Sequence, residues 1–211
     1  MSASYDFAEV AAAPGAPLLL LLHGTGGNEN DLIGLGRQLV PGAHLIAPRG
    51  DVSEGGSLRF FRRTGEGVYD MVDLARATDK LGAFIAAQAD RLKPSAVAAL
   101  GYSNGANILA SVLFGAPGAV DRAVLMHPLI PFDPAPQPGL EGKHVLLTAG
   151  RRDPIAPAAL TERLAAYFAA QGAAASVSWH EGGHEIRREE LVAAQRFLTQ
   201  ELSTSFTMEQ P

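Results

Sequence analysis

Short apolar runs alternate along the chain with longer segments in which apolar residues recur every three or four positions. The short runs predict β-strands, because each is too short for a free helix and is often rich in leucine or β-branched residues. They are Pro17 to Leu22, Ala43 to Pro48, Ala96 to Leu100, Arg122 to Met126, His144 to Thr148 and Ala175 to His180. Continuous apolar runs are typical of a parallel sheet that is buried on both faces.

The longer segments predict amphipathic helices. From Leu74 to Leu92, apolar residues at steps of three and four form one stripe that can pack against a sheet. A second stripe follows Pro157, a suitable first helical residue, and stops near Gly172. A last helix is predicted from about Arg187 to Leu202, before a polar tail at 203–211 that lacks an apolar face. Strands that alternate with helices predict a doubly wound, mostly parallel α/β sheet with helices on both faces.

Composition predicts one globular domain, residues 1–211, because 47% of the 211 residues are hydrophobic and 18% are charged. The net charge of −5 offers no basic surface for nucleic acid. The absence of cysteine excludes disulfides and thiolate chemistry. No apolar run is long enough for a membrane helix, so we expect a cytoplasmic protein without membrane insertion. The oligomeric state stays open, with a homodimer as one alternative.

The main chemical signal is Gly101-Tyr102-Ser103-Asn104-Gly105, which matches the G-x-S-x-G pattern of a nucleophile elbow. A serine at the tip of a tight strand-to-helix turn needs small neighbours two residues away on either side. The motif follows an apolar strand and opens a helical run at 106–113, as this turn requires. The alternative is a glycine-rich turn that only tightens packing.

A nucleophilic serine needs a histidine to accept its proton and an acid to orient that histidine. In hydrolases with a nucleophile elbow, the acid and then the histidine follow the serine along the chain. Asp153 and His184 meet this order, and each lies just beyond the carboxyl end of a predicted strand, where open α/β sheets bind ligands. Asp153 could instead cap a turn or pair with a neighbouring arginine.

A competing interpretation uses His180 together with His184. The segment from His180 to His184 spells H-E-x-x-H, a zinc motif that works only on a helix. Gly182 and Gly183 disfavour a helix there, and the preceding residues alternate like a strand. A zinc site would also need a third ligand, with carboxylates such as Glu189 as the candidates. The preferred interpretation therefore uses no metal and no cofactor.

Attack on an ester creates a negative oxygen that backbone N–H groups must stabilise. One donor is predicted at Asn104, directly after the nucleophile. The second is predicted at Thr25, in the glycine-rich segment that follows the strand at 17–22. The same segment is also a turn before a helix that Asn28 or Asn30 would cap.

The chain resembles the phospholipase/carboxylesterase family of α/β-hydrolases, which includes the acyl-protein thioesterases. The resemblance covers about residues 15–200 and rests on four motifs in order: His23 to Gly27, Gly101 to Gly105, Ala149 to Pro157, and Gly183-His184. It implies a compact α/β-hydrolase fold without a large cap domain. The implied site has Ser103, Asp153 and His184 as catalytic residues and Thr25 and Asn104 as oxyanion donors. The segment from Pro48 to Asp70 is similar to the small bacterial carboxylesterases.

The stretch from Gly50 to Gly67 has no clear periodicity, and loops of that length are often functional. We expect it to form a wall of the substrate pocket. The candidate pocket residues are Phe60, Phe61, Arg62 and Tyr69. Arg62 or Arg63 would meet an anionic group of the substrate. Alternatively, the aromatic rings pack the loop onto the core and the arginines pair with nearby carboxylates.

The sequence thus predicts a serine hydrolase that cleaves esters, with thioesters as an alternative, of small soluble molecules through an acyl-enzyme. Two other classes stay open. One is the zinc metallohydrolase built on His180 and His184. The other is a hydrolase-fold binding protein without catalytic activity, because fold alone does not fix function.

Overall fold

The computed structural model of the chain describes residues 4–65 and 67–199. Its strands are β1 Phe7–Val10, β2 Leu18–Leu22, β3 His44–Pro48, β4 Val52–Glu54, β5 Ser57–Arg59, β6 Arg63–Gly65, β7 Val68–Tyr69, β8 Val97–Tyr102, β9 Arg122–Met126, β10 His144–Gly150 and β11 Ala174–His180. Its α-helices are α1 Ile33–Leu39, α2 Met71–Leu92, α3 Asn104–Gly115, α4 Ala158–Ala170 and α5 Arg188–Thr199.

Seven strands form the central sheet, in the order β1, β3, β2, β8, β9, β10, β11. Six of them are parallel, and β1 pairs antiparallel with β3 at one edge. All six predicted strands are present, within one or two residues of the predicted bounds. The predicted doubly wound, mostly parallel α/β-hydrolase fold is confirmed.

The leucines of β2 show how the sheet separates two layers of core. Leu18, Leu20 and Leu22 pack into one hydrophobic cluster, together with apolar residues of α2, α3 and α4. Leu19 and Leu21 pack into the other, together with apolar residues of α1 and α5. Side chains alternate along a strand, so a central strand with helices on both sides must be apolar at every position. The continuous leucine run is the result.

Helix bounds agree with the predicted stripes and extend them at one end. Helix α2 begins at Met71 because the Asp70 side chain accepts hydrogen bonds from the amides of Val72 and Asp73. Its first turn exposes the apolar side chains of Met71 and Val72, so these positions do not belong to the buried stripe that predicted the helix. Helix α5 is described to Thr199, and the predicted tail at 203–211 lies outside the described residues.

Two local features differ from the sequence-based expectation. The stretch from Gly50 to Gly67 is not a plain loop, because β4 pairs with β5 and β6 pairs with β7 in two small antiparallel ribbons. The predicted cap at Asn28 or Asn30 is wrong. Helix α1 starts after Leu32 without a side-chain cap, and Asn28 instead forms a turn with Asp31. None of the helices in the described residues is long and apolar enough to cross a membrane.

Candidate active site

Ser103 occupies the tight turn between β8 and α3, with a backbone φ of 52°. Two glycines make this turn possible. A Cβ at Gly101 would lie 2.3 Å from the carbonyl oxygen of Gly105, and one at Gly105 would lie 2.1 Å from that of Leu22. Both contacts are with backbone and cannot be relieved by moving a side chain. The G-x-S-x-G spacing therefore has a steric cause in this chain.

Ser103, His184 and Asp153 form one chain of hydrogen bonds. The Oγ of Ser103 lies 2.9 Å from Nε2 of His184, and Nδ1 of His184 lies 2.7 Å from Oδ2 of Asp153. The Asp153 carboxylate is buried, whereas the His184 side chain retains 17% exposure. The geometry allows His184 to accept the proton of Ser103 while Asp153 fixes the ring.

The absence of a side chain at Gly150 lets the loop that bears His184 lie against the end of β10. A Cβ at Gly150 would lie 2.1 Å from the carbonyl oxygen of Gly183. The hydroxyl of Tyr102 donates to the carbonyl oxygen of His184 at 2.8 Å and fixes the loop from the other side. The loop bearing the histidine is therefore held against the strand that leads to Asp153.

The Asp153 carboxylate is held ionised by its hydrogen bonds. Burial raises its pKa, but the amide of Ala156, then His127, His184 and the amide of Ile155, outweigh burial, and the pKa lies below its ordinary value. Oδ1 accepts the two backbone amides, which leaves Oδ2 for the two histidines.

Beyond Asp153, the polar chain continues into the protein through side chains that the sequence-based site did not include. Nδ1 of His127 lies 2.9 Å from Oδ2 of Asp153, and its Nε2 lies 2.9 Å from Oε1 of Glu190. Nε2 of His180 lies 3.2 Å from the other oxygen of Glu190. The one available signal was position, because His127 directly follows β9 at the edge of the sheet that carries Ser103.

Thr25 and Asn104 lie beside Ser103 in one cleft of about 320 Å³. The stretch from Arg59 to Phe60 fixes both. Nη1 of Arg59 donates to Oγ1 of Thr25 at 2.7 Å, and the amide of Phe60 donates to Oδ1 of Asn104 at 2.8 Å. No group within residues 4–65 and 67–199 accepts a hydrogen bond from the backbone amide of Thr25 or Asn104.

The candidate pocket residues divide into two groups. Tyr69 lines the cleft, and its hydroxyl donates to the carbonyl oxygen of Leu129. Phe60 and Phe61 do not line it, because both rings are fully buried in the core. Arg62 is also outside the cleft, where it pairs with Asp70 and Asp73. The structure corrects the assignment of these three residues to the pocket and agrees with the packing alternative.

The charged wall of the cleft comes from Arg59 and Arg63, which share the carboxylate of Glu54 at 3.5 and 3.3 Å. Burial, and then the nearby Arg63, lowers the pKa of the Arg59 guanidinium. An arginine stays cationic in a folded protein, so two cations share one anion and leave a net positive charge beside Ser103.

The H-E-x-x-H segment does not form a helix. His180 ends β11, and residues 181–187 that follow are irregular. The two ring nitrogens of His184 contact Ser103 and Asp153, and those of His180 contact the Gly182 amide and Glu190. The two rings thus point to different partners, which disfavours a metal site shared by His180 and His184.

Comparisons with known proteins agree with this geometry. Residues 62–190 match the model of the dienelactone hydrolase family. MhqD of Bacillus subtilis (strain 168), which is named a hydrolase, is 44% identical over 182 residues, which cover 85% of this chain and 91% of MhqD.

Solved structures of bacterial proteins are also similar to this chain in sequence and fold. The protein Atu2452 of Agrobacterium tumefaciens is 52% identical with a TM-score of 0.88, over 93% of this chain and 96% of that one. A carboxylesterase of Bacillus cereus is 38% identical with a TM-score of 0.85, over 92% of each chain. The resemblance to bacterial carboxylesterases is confirmed, although the matching family model carries the dienelactone hydrolase name.

Proposed function

Because this chain belongs to the dienelactone hydrolase family, we propose that it is a serine hydrolase that cleaves carboxylic esters of small molecules. The observation that carries the proposal is the chain of hydrogen bonds from Ser103 through His184 to Asp153 at the foot of the cleft. The Bacillus cereus relative is a carboxylesterase, which supports the same reaction class.

In the proposed first step, the Oγ of Ser103 attacks the ester carbonyl carbon while Nε2 of His184 takes the hydroxyl proton. The C=O π electrons move to oxygen and give a tetrahedral intermediate. When the intermediate collapses, the bond to the alcohol oxygen breaks, and His184 donates its proton to that oxygen. Water then attacks the acyl-enzyme by the same route and releases the acid with Ser103 restored.

The backbone amides of Thr25 and Asn104 are the proposed donors to the negative oxygen of the intermediate. Their support is that both residues line the cleft with Ser103 and that neither amide has an acceptor elsewhere in the described residues. Donors that are already fixed in place cost no reorganisation as charge develops, and removing one typically costs about 100- to 1,000-fold in kcat.

The cleft favours small esters that carry an anionic group. A volume of about 320 Å³ is at the small end of ligand sites. The net positive charge of Arg59, Arg63 and Glu54 on its wall would attract a carboxylate on the acyl or alcohol part. Lactones belong to the same reaction class, because a lactone is a cyclic ester.

Hydrolysis of a graded panel tests the proposal. The panel contains nitrophenyl esters and matched thioesters from acetyl to decanoyl, a small lactone, and hemisuccinate esters with their neutral methyl counterparts. We expect the highest kcat/KM for short acyl chains, a preference for hemisuccinates over the neutral counterparts, and loss of turnover in Ser103→Ala.

Two outcomes would replace the proposal with the other classes of function. Activity that survives Ser103→Ala but is abolished by a chelator would favour the metallohydrolase. No turnover of any member by a folded protein would favour a binding protein without catalytic activity. A preference for decanoyl esters would contradict the small cleft while leaving the serine mechanism intact.

A further inference from the structure

We propose that His127 is a buried imidazolium held between Asp153 and Glu190, and that His127 and Glu190 are positioning residues that set how readily His184 takes the proton of Ser103. The inference deepens the proposed function and rests on it for its kinetic part. The protonation of His127 can be measured without any turnover.

Both ring nitrogens of His127 face a carboxylate oxygen. Nδ1 is 2.9 Å from Oδ2 of Asp153, and Nε2 is 2.9 Å from Oε1 of Glu190. The side chains of His127 and Asp153 are fully buried and that of Glu190 is 1% exposed, so water cannot replace either contact. A neutral imidazole has one N–H and would leave its other nitrogen lone pair against an anion. Two protons on the ring give a hydrogen bond to Asp153 and an ion pair with Glu190, whose 2.9 Å contact is not aligned as a hydrogen bond.

The surroundings of Glu190 keep its carboxylate ionised. Its Oε1 accepts from the hydroxyl of Thr148 at 2.6 Å, and its Oε2 accepts from the amide of Arg187 at 2.7 Å. Burial raises the pKa of Glu190, but His127, then Thr148 and the Arg187 amide, outweigh burial and hold the pKa below its ordinary value. Burial likewise lowers the pKa of His127, and Glu190 and Asp153 outweigh it and leave the pKa raised.

His180 completes the surroundings as a donor and does not compete for the same proton. Its Nδ1 accepts from the amide of Gly182 at 2.9 Å, so its Nε2 carries the hydrogen that faces Glu190 at 3.2 Å. A protonated Nε2 cannot ligate a metal. This disfavours a metal ion among His127, His180 and Glu190, although their ligand atoms lie close together.

The backbone at His127 is held in an unusual conformation. His127 has a φ of 52°, in the left-handed region that a histidine seldom occupies. The conformation is held by the amide of His127, which donates to the carbonyl oxygen of Thr148 at 2.8 Å. Strained conformations of this kind are kept where surrounding contacts determine them and are common at functional sites.

The charge on His127 acts on His184 through Asp153. Both histidines contact the same oxygen of Asp153, and their ring centres are 5.1 Å apart. A cation at that distance is unfavourable for further positive charge in the same cluster, so its removal in a variant should favour proton uptake there. Glu190 is on the far side of His127 and acts mainly by keeping the proton there.

The titratable groups that contact the His127 ring come from five different parts of the fold. They are Tyr102 of β8, Asp153 after β10, His180 of β11, His184 in the loop after β11, and Glu190 of α5. Of these, Asp153 and Glu190 are anions. With a cationic His127 between them, the buried group carries one net negative charge. This is the same net charge as that of Asp153 paired with a neutral His184 alone.

Two-bond ¹H–¹⁵N spectra of protein labelled with ¹⁵N-histidine test the protonation directly, because they distinguish an imidazolium from either neutral tautomer. We expect the signal that disappears in His127→Asn to be an imidazolium at pH 8, above the ordinary histidine pKa of about 6.5. In Glu190→Gln the amide can donate to Nε2, and we expect His127 to become neutral at the same pH.

The kinetic test is the acidic limb of the pH profile of kcat/KM, measured on a neutral short ester. His127→Asn keeps a donor toward Asp153, and asparagine tolerates the left-handed backbone. We expect its acidic limb to move up by about one pH unit and that of Glu190→Gln by roughly half as much. His44→Asn, a buried histidine of β3 outside the site, is the control and should not move the limb.

Each result supports or overturns the inference. A neutral His127 at pH 8 in the unaltered protein overturns it, as does a lower kcat/KM in both variants with an unmoved acidic limb. An imidazolium that persists in Glu190→Gln removes Glu190 from the account. If His127→Asn does not fold, Glu190→Gln still provides both readouts. If the protein hydrolyses no ester, the proposed function fails while the spectra still decide the state of His127.

Discussion

The two halves of the candidate site are fixed by different kinds of structure. The half that would move the proton consists of Asp153, His127 and His184, which follow neighbouring strands at one edge of the sheet. Both histidines are hydrogen-bonded to Asp153. The half that would stabilise the oxyanion depends on the two small ribbons of residues 52–69, which bond to the rest of the site through Arg59 and the Phe60 amide.

Substitutions in the two halves should therefore differ in their effects on activity and stability. In the proton-moving half the side chains of His127 and Asp153 are fully buried, so substitutions of these residues should alter the chemistry and the stability together. The oxyanion half includes ion pairs that are partly exposed, such as Arg63 with Glu54. Exposed pairs contribute little to stability, so substitutions of the exposed charged residues of the ribbons should alter activity and specificity without unfolding the protein.

Among substitutions in the two halves, Asp153→Asn should have the largest effect on activity. The asparagine removes the anion that fixes the His184 ring and stabilises its protonated form, and we expect kcat to fall about 10,000-fold. Asp133→Asn is the matched control, because that carboxylate has 86% exposure and makes one long ion pair with Arg163. Steady-state hydrolysis of a short ester measures both. A fall of less than about tenfold would show that the proton-moving half is not organised by Asp153.

A smaller effect is expected for Arg59→Met, which removes the hydrogen bond to Oγ1 of Thr25 without opening a large cavity. A misplaced oxyanion donor should lower kcat on a neutral ester about 10- to 100-fold, less than the complete loss of a donor. Arg62→Met is the control, because Arg62 pairs with Asp70 and Asp73 outside the cleft.

Equal kinetics in the Arg59 and Arg62 variants would contradict the role given to the ribbons. On an anionic ester, Arg59→Met should also raise KM, since it removes one of the two cations of the cleft wall. A KM that rises only on the anionic ester would separate the electrostatic effect from the effect on Thr25.

The smallest effect on activity is expected for Phe61→Ala, although its effect on stability is large. Phe61 is fully buried, and its ring packs edge-on against that of Tyr69, with the ring centres 4.8 Å apart. Loss of a buried phenylalanine should lower the free energy of unfolding by about 3–5 kcal/mol. Urea unfolding measures this, with Phe7→Ala as the control because Phe7 is 37% exposed. If kcat/KM for short esters falls as much as in Arg59→Met, the ring contributes to the cleft after all.

The residues that the sequence brings together correctly are those whose location follows from their position on the sheet. Ser103 and Asp153 follow strands with continuous apolar runs, and His184 follows a strand of alternating polarity. The carboxyl ends of these parallel strands meet at one edge. The glycines at 101 and 105 carry a steric requirement that depends only on backbone. These signals are local, so they are readable without knowing the packing.

The same reasoning failed where a role depends on which way a side chain turns. Arg59, Phe60, Phe61 and Arg62 are consecutive, yet the first lines the cleft, the next two are in the core and the last is on the surface. Glu190 gave no signal at all, because a glutamate in an amphipathic helix ordinarily faces solvent. Only the packing of α5 against β9 and β10 brings it to His127.

The most direct test of the account is covalent labelling of the intact protein with a fluorophosphonate, followed by intact-mass measurement and peptide mapping. An active serine attacks the phosphorus and displaces fluoride, so we predict one adduct per chain, located on Ser103, and none in Ser103→Ala. The adduct should form far more slowly in Asp153→Asn. An unlabelled protein, or an adduct that persists in Ser103→Ala, would contradict the assignment of Ser103 as the nucleophile.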